Sequence, residues 1–205
     1  HGQMLLSRWP ILSKRYYPLP RLAIESEFNM QMGVLEGVID TPGGALRFYN
    51  LHFGSVSSED RQLQAKFVTR LVQNSPSEGG AWTGPVTVVA ERDWTAGLVQ
   101  PSMPPNAVVL GDFNMHPESP EYAIIATAIA GHNGPLLTDI WAQKNPGSNV
   151  MTWHPNPGRP EDEQSARLDY CVVTADLIAS AGASWVDESA QGSDHQPLWV
   201  ELETG

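Results

Sequence analysis

The stretch LGDFNMHP (Leu110–Pro117) follows a short apolar run, Ala107–Leu110, and sets polar side chains where that run ends. A short apolar run of this kind is typical of a buried strand. Asp112 and Asn114 then allow two interpretations. They can form a turn by bonding to their own backbone, or they can help to hold a metal ion and a phosphate group. Taken alone, the stretch favours the turn.

Composition bounds what the chain can be. Its 205 residues are 41% hydrophobic and include 17 prolines and 18 glycines, which predicts one globular domain with many loops. The 12 lysines and arginines against 23 aspartates and glutamates give a net charge of −11. This charge argues against passive binding to nucleic acid. It does not exclude an enzyme that acts on nucleic acid, because bound divalent metals reverse the local sign.

Cysteine content and hydropathy exclude further classes. The single cysteine, Cys171, rules out an internal disulfide and a cysteine zinc site, and its apolar flanks predict a core residue. The sequence has no apolar run near the roughly 20 residues of a membrane span. We expect a monomer.

Hydrophobic patterning predicts several strands. A turn signal, Asp40–Gly44, joins two apolar segments into a β-hairpin that ends at His52. Val34–Ile39 is the first arm of this hairpin. The other predicted strands are Gln3–Leu6, Ala107–Leu110, Arg167–Val173 and Pro197–Leu202.

Two helices are predicted. The first begins at Ser57 or Ser58, with Leu63, Phe67 and Leu71 spaced i, i+4, i+8 on a buried face. The second lies in SPEYAIIATAIAG, with Ser119 as its cap and Gly131 at its end.

Residues 74–106 form an insertion-like excursion in this interpretation. They are rich in glycine, proline and serine, but include an apolar run at Val86–Ala90 and two tryptophans, Trp82 and Trp94. A loop of this length inside a compact domain is often functional. The tryptophans are therefore candidates for one wall of a site.

Four short segments put polar side chains beside the ends of apolar runs. Strand ends are rigid places from which side chains can meet in a shared cleft. Singly, each segment has a structural explanation, such as a packed His52, a turn at Asp112, or an Asp169 that needs a buried partner. The segments are NLHF (Asn50–Phe53), GDFN (Gly111–Asn114), RLDY (Arg167–Tyr170) and SDH (Ser193–His195).

The order of the four segments changes that balance. N-x-H, a helix, G-D-x-N, R-x-D-Y and S-D-H together resemble the endonuclease/exonuclease/phosphatase superfamily, the deoxyribonuclease-I-like fold. LLSRWPI near the start, Arg61 and Gln62 in RQLQA, and Trp153 agree with that family. The resemblance covers nearly the whole chain except residues 74–106. It implies an α+β fold, a four-layer α/β/β/α sandwich of two mixed, mostly antiparallel sheets with helices outside.

The resemblance also implies roles for the catalytic side chains. His195 would be the general base and Asp169 would orient its ring. Asp112 would position the attacking water, and Asn114 and His52 would donate hydrogen bonds to the phosphoryl oxygens. These residue types suit phosphate-ester hydrolysis, which needs an activated water and neutralised oxygens.

A divalent cation, Mg²⁺ or Mn²⁺, is the cofactor that the resemblance implies. Asp194 and Asp112 would be its ligands, and Asn50 would support the site from behind. The family's main glutamate ligand is expected ahead of this chain, since Glu25, Glu27 and Glu36 come too late in the order. We expect about 50–80 further residues before His1, from a typical strand–helix–strand opening. The alternative is that the chain is complete and inactive.

The expected function is metal-dependent hydrolysis of a phosphate ester, in the first place a phosphodiester. The substrate is a small molecule, a lipid head group or a nucleic acid, and the acidic composition slightly favours the first two. Two alternatives stay open: a nuclease that uses the same mechanism, and an inactive binding module of the same fold.

Overall fold

The computed structural model describes residues 2–80, 82–84, 100–126, 136–148, 150–156 and 164–204. The strands are β1 (Ile11–Pro18), β2 (Gly33–Thr41), β3 (Gly44–His52), β4 (Ala107–Asp112), β5 (Leu137–Asp139), β6 (Asp169–Thr174), β7 (Ala181–Val186) and β8 (Leu198–Leu202). The helices are α1 (Ser58–Glu78), α2 (Pro120–Ala126) and α3 (Ile140–Lys144), with a 3₁₀ helix at Ala175–Ser180.

Two sheets organise these elements. Six strands form a mixed sheet in the order β1-β2-β3-β4-β6-β5, in which only the pair β3–β4 is parallel among the pairings of the described strands. Strands β7 and β8 form a second, antiparallel sheet. The predicted α+β class with facing, mostly antiparallel sheets is therefore confirmed.

The two faces of the larger sheet are buried against different layers. Alternate residues of a strand point to opposite faces. Val109 and Val172 therefore join α1 and α2 in one apolar cluster, whereas Val108 and Val173 join the inner side of β8 in another. Cys171 belongs to the second cluster, as its flanks predicted. The sheet is thus sandwiched between helices and the β7–β8 sheet.

The hairpin and the later strands form where the patterns predicted. β2 and β3 pair in register from Val34–Leu51 to Thr41–Gly44 and end at His52. The predicted strands at 107–110, 167–173 and 197–202 correspond to β4, β6 and β8, with ends shifted by up to two residues.

The first predicted strand is wrong. Gln3–Leu6 lies in irregular chain, and the first strand is β1, eight residues long and starting at Ile11. The amide nitrogen of Asp40 on β2 already bonds to the carbonyl of Pro10. Pairing with β2, rather than the apolar character of residues 3–6, therefore decides where the strand begins.

The predicted buried face of α1 is only partly right. Ser57 does cap the helix, since its hydroxyl accepts from the Asp60 amide. Leu71 is buried, but Leu63 is 38% exposed. The helix runs to Glu78, with Pro76 inside its last turn, and so includes residues 74–78 of the predicted excursion.

Several elements escaped prediction or lie outside the described residues. β5, α3 and β7 are short or rich in small residues, so their hydrophobic patterns are weak. Ser119 caps α2 through the Tyr122 amide. The predicted end of that helix at Gly131, the run Val86–Ala90 and Trp94 lie outside the described residues. Within the described ranges, no helix is long and apolar enough to cross a membrane.

Candidate active site

Strand register brings three of the predicted side chains into one row. His52 on β3 pairs with Asp112 on β4, and Asp112 pairs with Asp169 on β6. Residues that are paired across neighbouring strands point to the same face of a sheet. The imidazole and the two carboxylates therefore share the face that is covered further along by β8, at the end of the sheet.

His195 joins this row from the segment before β8. Its Nδ1 lies 2.8 Å from Oδ2 of Asp169, and its Nε2 lies 3.9 Å from Oδ2 of Asp112. A backbone bridge to Trp153 holds the segment in place, and Ser193 Oγ accepts from the His195 amide at 3.0 Å. The Asp169 carboxylate thus fixes the ring so that its second nitrogen points towards Asp112.

Asn114 fixes the Asp112 carboxylate. The backbone amide of Asn114 donates to Oδ1 at 2.8 Å, and its Nδ2 donates to Oδ2 at 3.2 Å. Nδ2 also donates to the carbonyl of Phe53, just after β3. This geometry requires a left-handed backbone (φ 46°) at Asn114, which asparagine tolerates better than most residues. The turn and the functional interpretation of GDFN are therefore both satisfied by one arrangement.

Gly111 allows the strands that carry the row to approach closely. Its φ is +132°, and a Cβ at this position would collide with the carbonyl oxygen of Leu51 on β3. Phe113 is fully buried against Phe53 and Tyr170, as predicted. In the GDFN segment, Gly111 thus allows the close backbone contact, Asp112 and Asn114 supply the polar groups of the site, and Phe113 anchors the segment in the core.

Thr152 supports Asp169 and was missed by sequence analysis. Its side chain is fully buried, and its Oγ1 accepts from the amides of Leu168 and Asp169 at 3.0 Å each. Its carbonyl also accepts from Gln196, next to His195. A threonine beside a tryptophan carries no distinctive pattern, so only the folded contacts reveal this role.

A cavity of about 580 Å³ opens over these residues. Asp194 lines it together with His52, Asp112, Asn114 and His195. Oδ2 of Asp194 accepts from the Trp153 indole at 3.3 Å and from Asn156 at 3.1 Å, which orients this carboxylate. The structure therefore brings all predicted site residues except Asn50 together at this cavity. Asp169 does not line the cavity itself, but it contacts His195, which does.

Asn50 lies one step outside the cavity. It occupies β3 two residues before His52, and its Nδ2 donates to the carbonyl of Met4. Its Oδ1 lies 3.1 Å from where a Cβ on Gly111 would stand. Its predicted supporting role stays a prediction.

Other histidines and the tryptophan Trp82 contribute nothing to this cavity among the described residues. His116 and His154 are exposed, and His132 lies outside the described residues. Trp82 is described but does not line the cavity. Glu27 does line it, although sequence order gave no reason to expect a role there.

The pKa values of Asp112, His195 and His52 are shifted in different ways by their surroundings. Burial, followed by the charge of Asp169, raises the pKa of Asp112 to about 6. The hydrogen bond with Asp169 raises the pKa of His195, against the opposing effect of burial. Burial, together with His195, lowers the pKa of His52. The neutral form of His52 is therefore favoured, whereas the protonated form of His195 is favoured relative to a free histidine.

The donor set fits a hard divalent cation that keeps part of its water shell. Among the described residues, no group of three or more His, Cys, Asp or Glu side chains is arranged to hold a metal ion. Mg²⁺, however, often binds through one or two carboxylates plus water and substrate phosphate. Asp112 and Asp194 offer carboxylates to the cavity, and the charge of Asp169 contributes, after burial, to the raised pKa of Asp112.

Comparisons with known proteins agree with this architecture. A structure of an endonuclease/exonuclease/phosphatase from Bacteroides vulgatus matches with a TM-score of 0.60 and 19% identity, over 95% of this chain and 66% of that one. D. rerio TDP2, complexed with single-strand DNA product, matches with a TM-score of 0.62 and 15% identity, over 94% of this chain and 68% of that one. The 3′ phosphatase NExo from Neisseria, bound to product DNA hairpin, matches with a TM-score of 0.58 and 18% identity, over 96% of this chain and 73% of that one.

The chain spans slightly less than two thirds of the first of these structures. None of the curated proteins gives a significant match. The profile of the Endonuclease/Exonuclease/phosphatase family matches residues 1–195. Because that match covers nearly all of the sequence and the fold agrees, this chain belongs to the endonuclease/exonuclease/phosphatase family, whose members hydrolyse phosphate esters.

Proposed function

We propose that this protein is a divalent-metal-dependent phosphodiesterase in which His195 is the general base. The observation that carries the proposal is the 2.8 Å contact between His195 Nδ1 and Asp169, with Nε2 turned towards Asp112 on the floor of the cavity. A base oriented in this way by a carboxylate is what activation of a water molecule requires.

Each half of the dyad has a distinct task in this mechanism. Asp169 accepts from Nδ1–H, so that Nε2 is left as the atom that takes a proton from water. Asp112 faces the same nitrogen at 3.9 Å and accepts the second hydrogen of that water. Both groups must be deprotonated to act; the pKa of Asp112 is raised to about 6 by burial and the charge of Asp169, and the pKa of His195 is raised by its hydrogen bond with Asp169.

The other two predicted groups, His52 and Asn114, differ in how well their expected contact with the phosphate is supported. The lowered pKa of His52 favours a neutral ring that donates to a phosphoryl oxygen. Asn114 already donates from Nδ2 to Asp112 and to Phe53. Positioning of Asp112 is thus its best-supported task, and donation to the phosphate stays a prediction that requires one of these bonds to be exchanged.

Mg²⁺ or Mn²⁺ is the proposed cofactor, held by Asp112 and Asp194. A bound divalent cation supplies charge neutralisation at the phosphoryl oxygens and lowers the pKa of coordinated water. Oxygen donors suit these hard cations. Because the protein carries a net charge of −11, a bound cation would reduce its repulsion of an anionic substrate.

Nuclease activity by the same mechanism is the second candidate. It is favoured by the two related structures that hold DNA product, TDP2 and NExo. Against it, the described residues that line the cavity include no lysine or arginine, and a nucleic-acid groove usually presents such residues. A small or lipid-like phosphodiester is thus the preferred substrate.

Metal-dependent turnover tests the proposal. Purified protein is assayed with Mg²⁺, with Mn²⁺ and with a chelator on bis-p-nitrophenyl phosphate, sphingomyelin, single-stranded DNA and double-stranded DNA. The proposal expects metal-dependent hydrolysis of at least one non-nucleic-acid diester. Hydrolysis of DNA alone would favour the nuclease. Calorimetric binding of Mg²⁺ without turnover on any substrate would favour an inactive binding module.

A further inference from the structure

The loop between β1 and β2, residues 19–32, is fixed to helix α1 by buried polar groups. Oδ1 of Asp60 accepts from the Leu22 amide at 2.5 Å, and Oδ2 accepts from Nδ2 of Asn29 at 2.6 Å. Gln64, one turn further along α1, donates to the carbonyl of Pro20. Asp60 and Gln64 are almost completely buried. Because a buried carboxylate is costly unless its bonds are satisfied, these bonds anchor both ends of the segment that carries Glu27 to α1.

The same glutamine links this loop to the active site. Oε1 of Gln64 accepts from the amide of Gly54 at 2.9 Å, two residues after His52. Ser55 and Val56, which follow, line the catalytic cavity. The β1–β2 loop and the chain after His52 are therefore braced by one side chain, so that they form a common wall.

Glu27 projects from this braced loop into the catalytic cavity. It is exposed, and it lines the cavity with His52, Asp112, Asp194 and His195. Glu25 is also exposed on the same loop, but it is not among the described residues that line the cavity. The two glutamates thus differ in what they face, although they share the same charge and the same loop.

Glu27 gives this wall a negative charge, and no lysine or arginine is among the described residues that line the cavity. Arg61 donates to the carbonyl of Ser55 behind the wall, but its guanidinium is already paired with Glu121. A reacting phosphate is accommodated by the metal and the catalytic donors, but the remainder of the substrate meets Glu27. A second anionic group there is repelled, whereas an ammonium group or a hydroxyl-rich group is attracted.

We propose that Glu27 determines substrate specificity by selecting phosphate esters whose organic part carries an ammonium group. This inference rests on the proposed function for its site, but it makes a separate statement about ligand charge. It predicts an order of preference by charge at constant shape, with cationic substrates first, neutral ones second and anionic ones last.

Three phosphonates of nearly equal size test binding without turnover. They are 2-aminoethylphosphonate, propylphosphonate and 3-phosphonopropionate, titrated calorimetrically into the protein with Mg²⁺ present. An exposed charge pair predicts that the amine binds about 1.5- to fivefold more tightly than the neutral compound and that the carboxylate binds more weakly. Glu27→Gln should abolish this order, Glu27→Lys should reverse it, and Glu25→Gln should preserve it.

The same charge series tests turnover. p-Nitrophenyl diesters with a 2-aminoethyl, ethyl or 2-carboxyethyl second ester should show the same order in kcat/KM. An order that persists in Glu27→Gln, or that is lost equally in Glu25→Gln, would overturn the proposal. So would a loss of Mg²⁺ affinity in Glu27→Gln with the order unchanged, since Glu27 would then be a metal ligand.

The two readouts separate failure of this inference from failure of the proposed function. Charge-ordered phosphonate binding without hydrolysis of any diester would contradict the phosphodiesterase but keep the role of Glu27. Hydrolysis with no charge order would keep the enzyme and overturn the role of Glu27. Absence of both would overturn both.

Discussion

Asp112→Asn should make the stability of the protein less sensitive to pH. The pKa of Asp112 is raised from 3.8 to about 6, while its side chain is only 16% exposed. A group with a raised folded pKa favours folding when it is protonated. Its contribution is complete below about pH 4 and is lost as the pH rises through about 6.

The magnitude follows from the shift. A difference of about two pKa units corresponds to about 3 kcal/mol, since one unit is about 1.4 kcal/mol. Because Asp112 is coupled to Asp169 and His195, we expect about 2–3 kcal/mol in practice. Asparagine resembles the protonated acid, so the variant keeps at pH 7 the stability that the wild type loses.

Urea unfolding with a chelator present measures this effect. The free energy of unfolding is determined for wild type and Asp112→Asn at about pH 4 and about pH 7. The variant should gain about 2–3 kcal/mol relative to the wild type between these values, and any constant packing effect cancels in the difference. Asp176→Asn, at an exposed carboxylate on the 3₁₀ helix, is the matched control. A relative change below about 0.5 kcal/mol, or one of opposite sign, would refute the reasoning.

Three further predictions concern the catalytic dyad and its support. Asp169→Asn should lower kcat far more than Mg²⁺ affinity, because its proposed task is orientation; if calorimetry finds that Mg²⁺ affinity falls most, Asp169 is a ligand instead. Thr152→Val should lower the free energy of unfolding by about 2–4 kcal/mol, because the amides of Leu168 and Asp169 lose their acceptor. Thr152→Ser keeps the hydroxyl and should lower the free energy of unfolding by only about 1 kcal/mol. Equal urea midpoints for the two variants would contradict this. The kcat/KM should rise as the pH passes about 6, where Asp112 ionises, and should go on rising at higher pH, because the pKa of His195 is raised above its ordinary value and His195 must also lose its proton; a flat profile between about pH 5 and 8 would exclude both roles.

The order of four motifs, and the family resemblance that it carries, pointed to the members of this row; no one of the motifs was decisive alone. His52, Asp112 and Asp169 close β3, close β4 and open β6, and register then aligns them without any further signal. Residues at a strand end are constrained by the strand they follow, which is visible in the pattern.

The residues that sequence missed act through tertiary contacts. Thr152 contacts Asp169 because its hydroxyl accepts from the Asp169 amide, and the proposed role of Glu27 depends on a loop that helix α1 anchors at Leu22 and Asn29. The face of α1 was misjudged for a related reason. Asp60 and Gln64 are buried polar residues, so the buried face does not coincide with the apolar one, and Leu63 is left partly exposed.

His195→Ala tests the central claim most directly, with metal-dependent hydrolysis of the preferred phosphodiester as the readout. The variant should keep the fold and lose about 10²–10⁴-fold in kcat, the usual contribution of a general base. His116→Ala, at an exposed histidine outside the cavity, should keep wild-type activity. A loss below about tenfold in His195→Ala, with the fold intact, would contradict the assignment of His195 as the base.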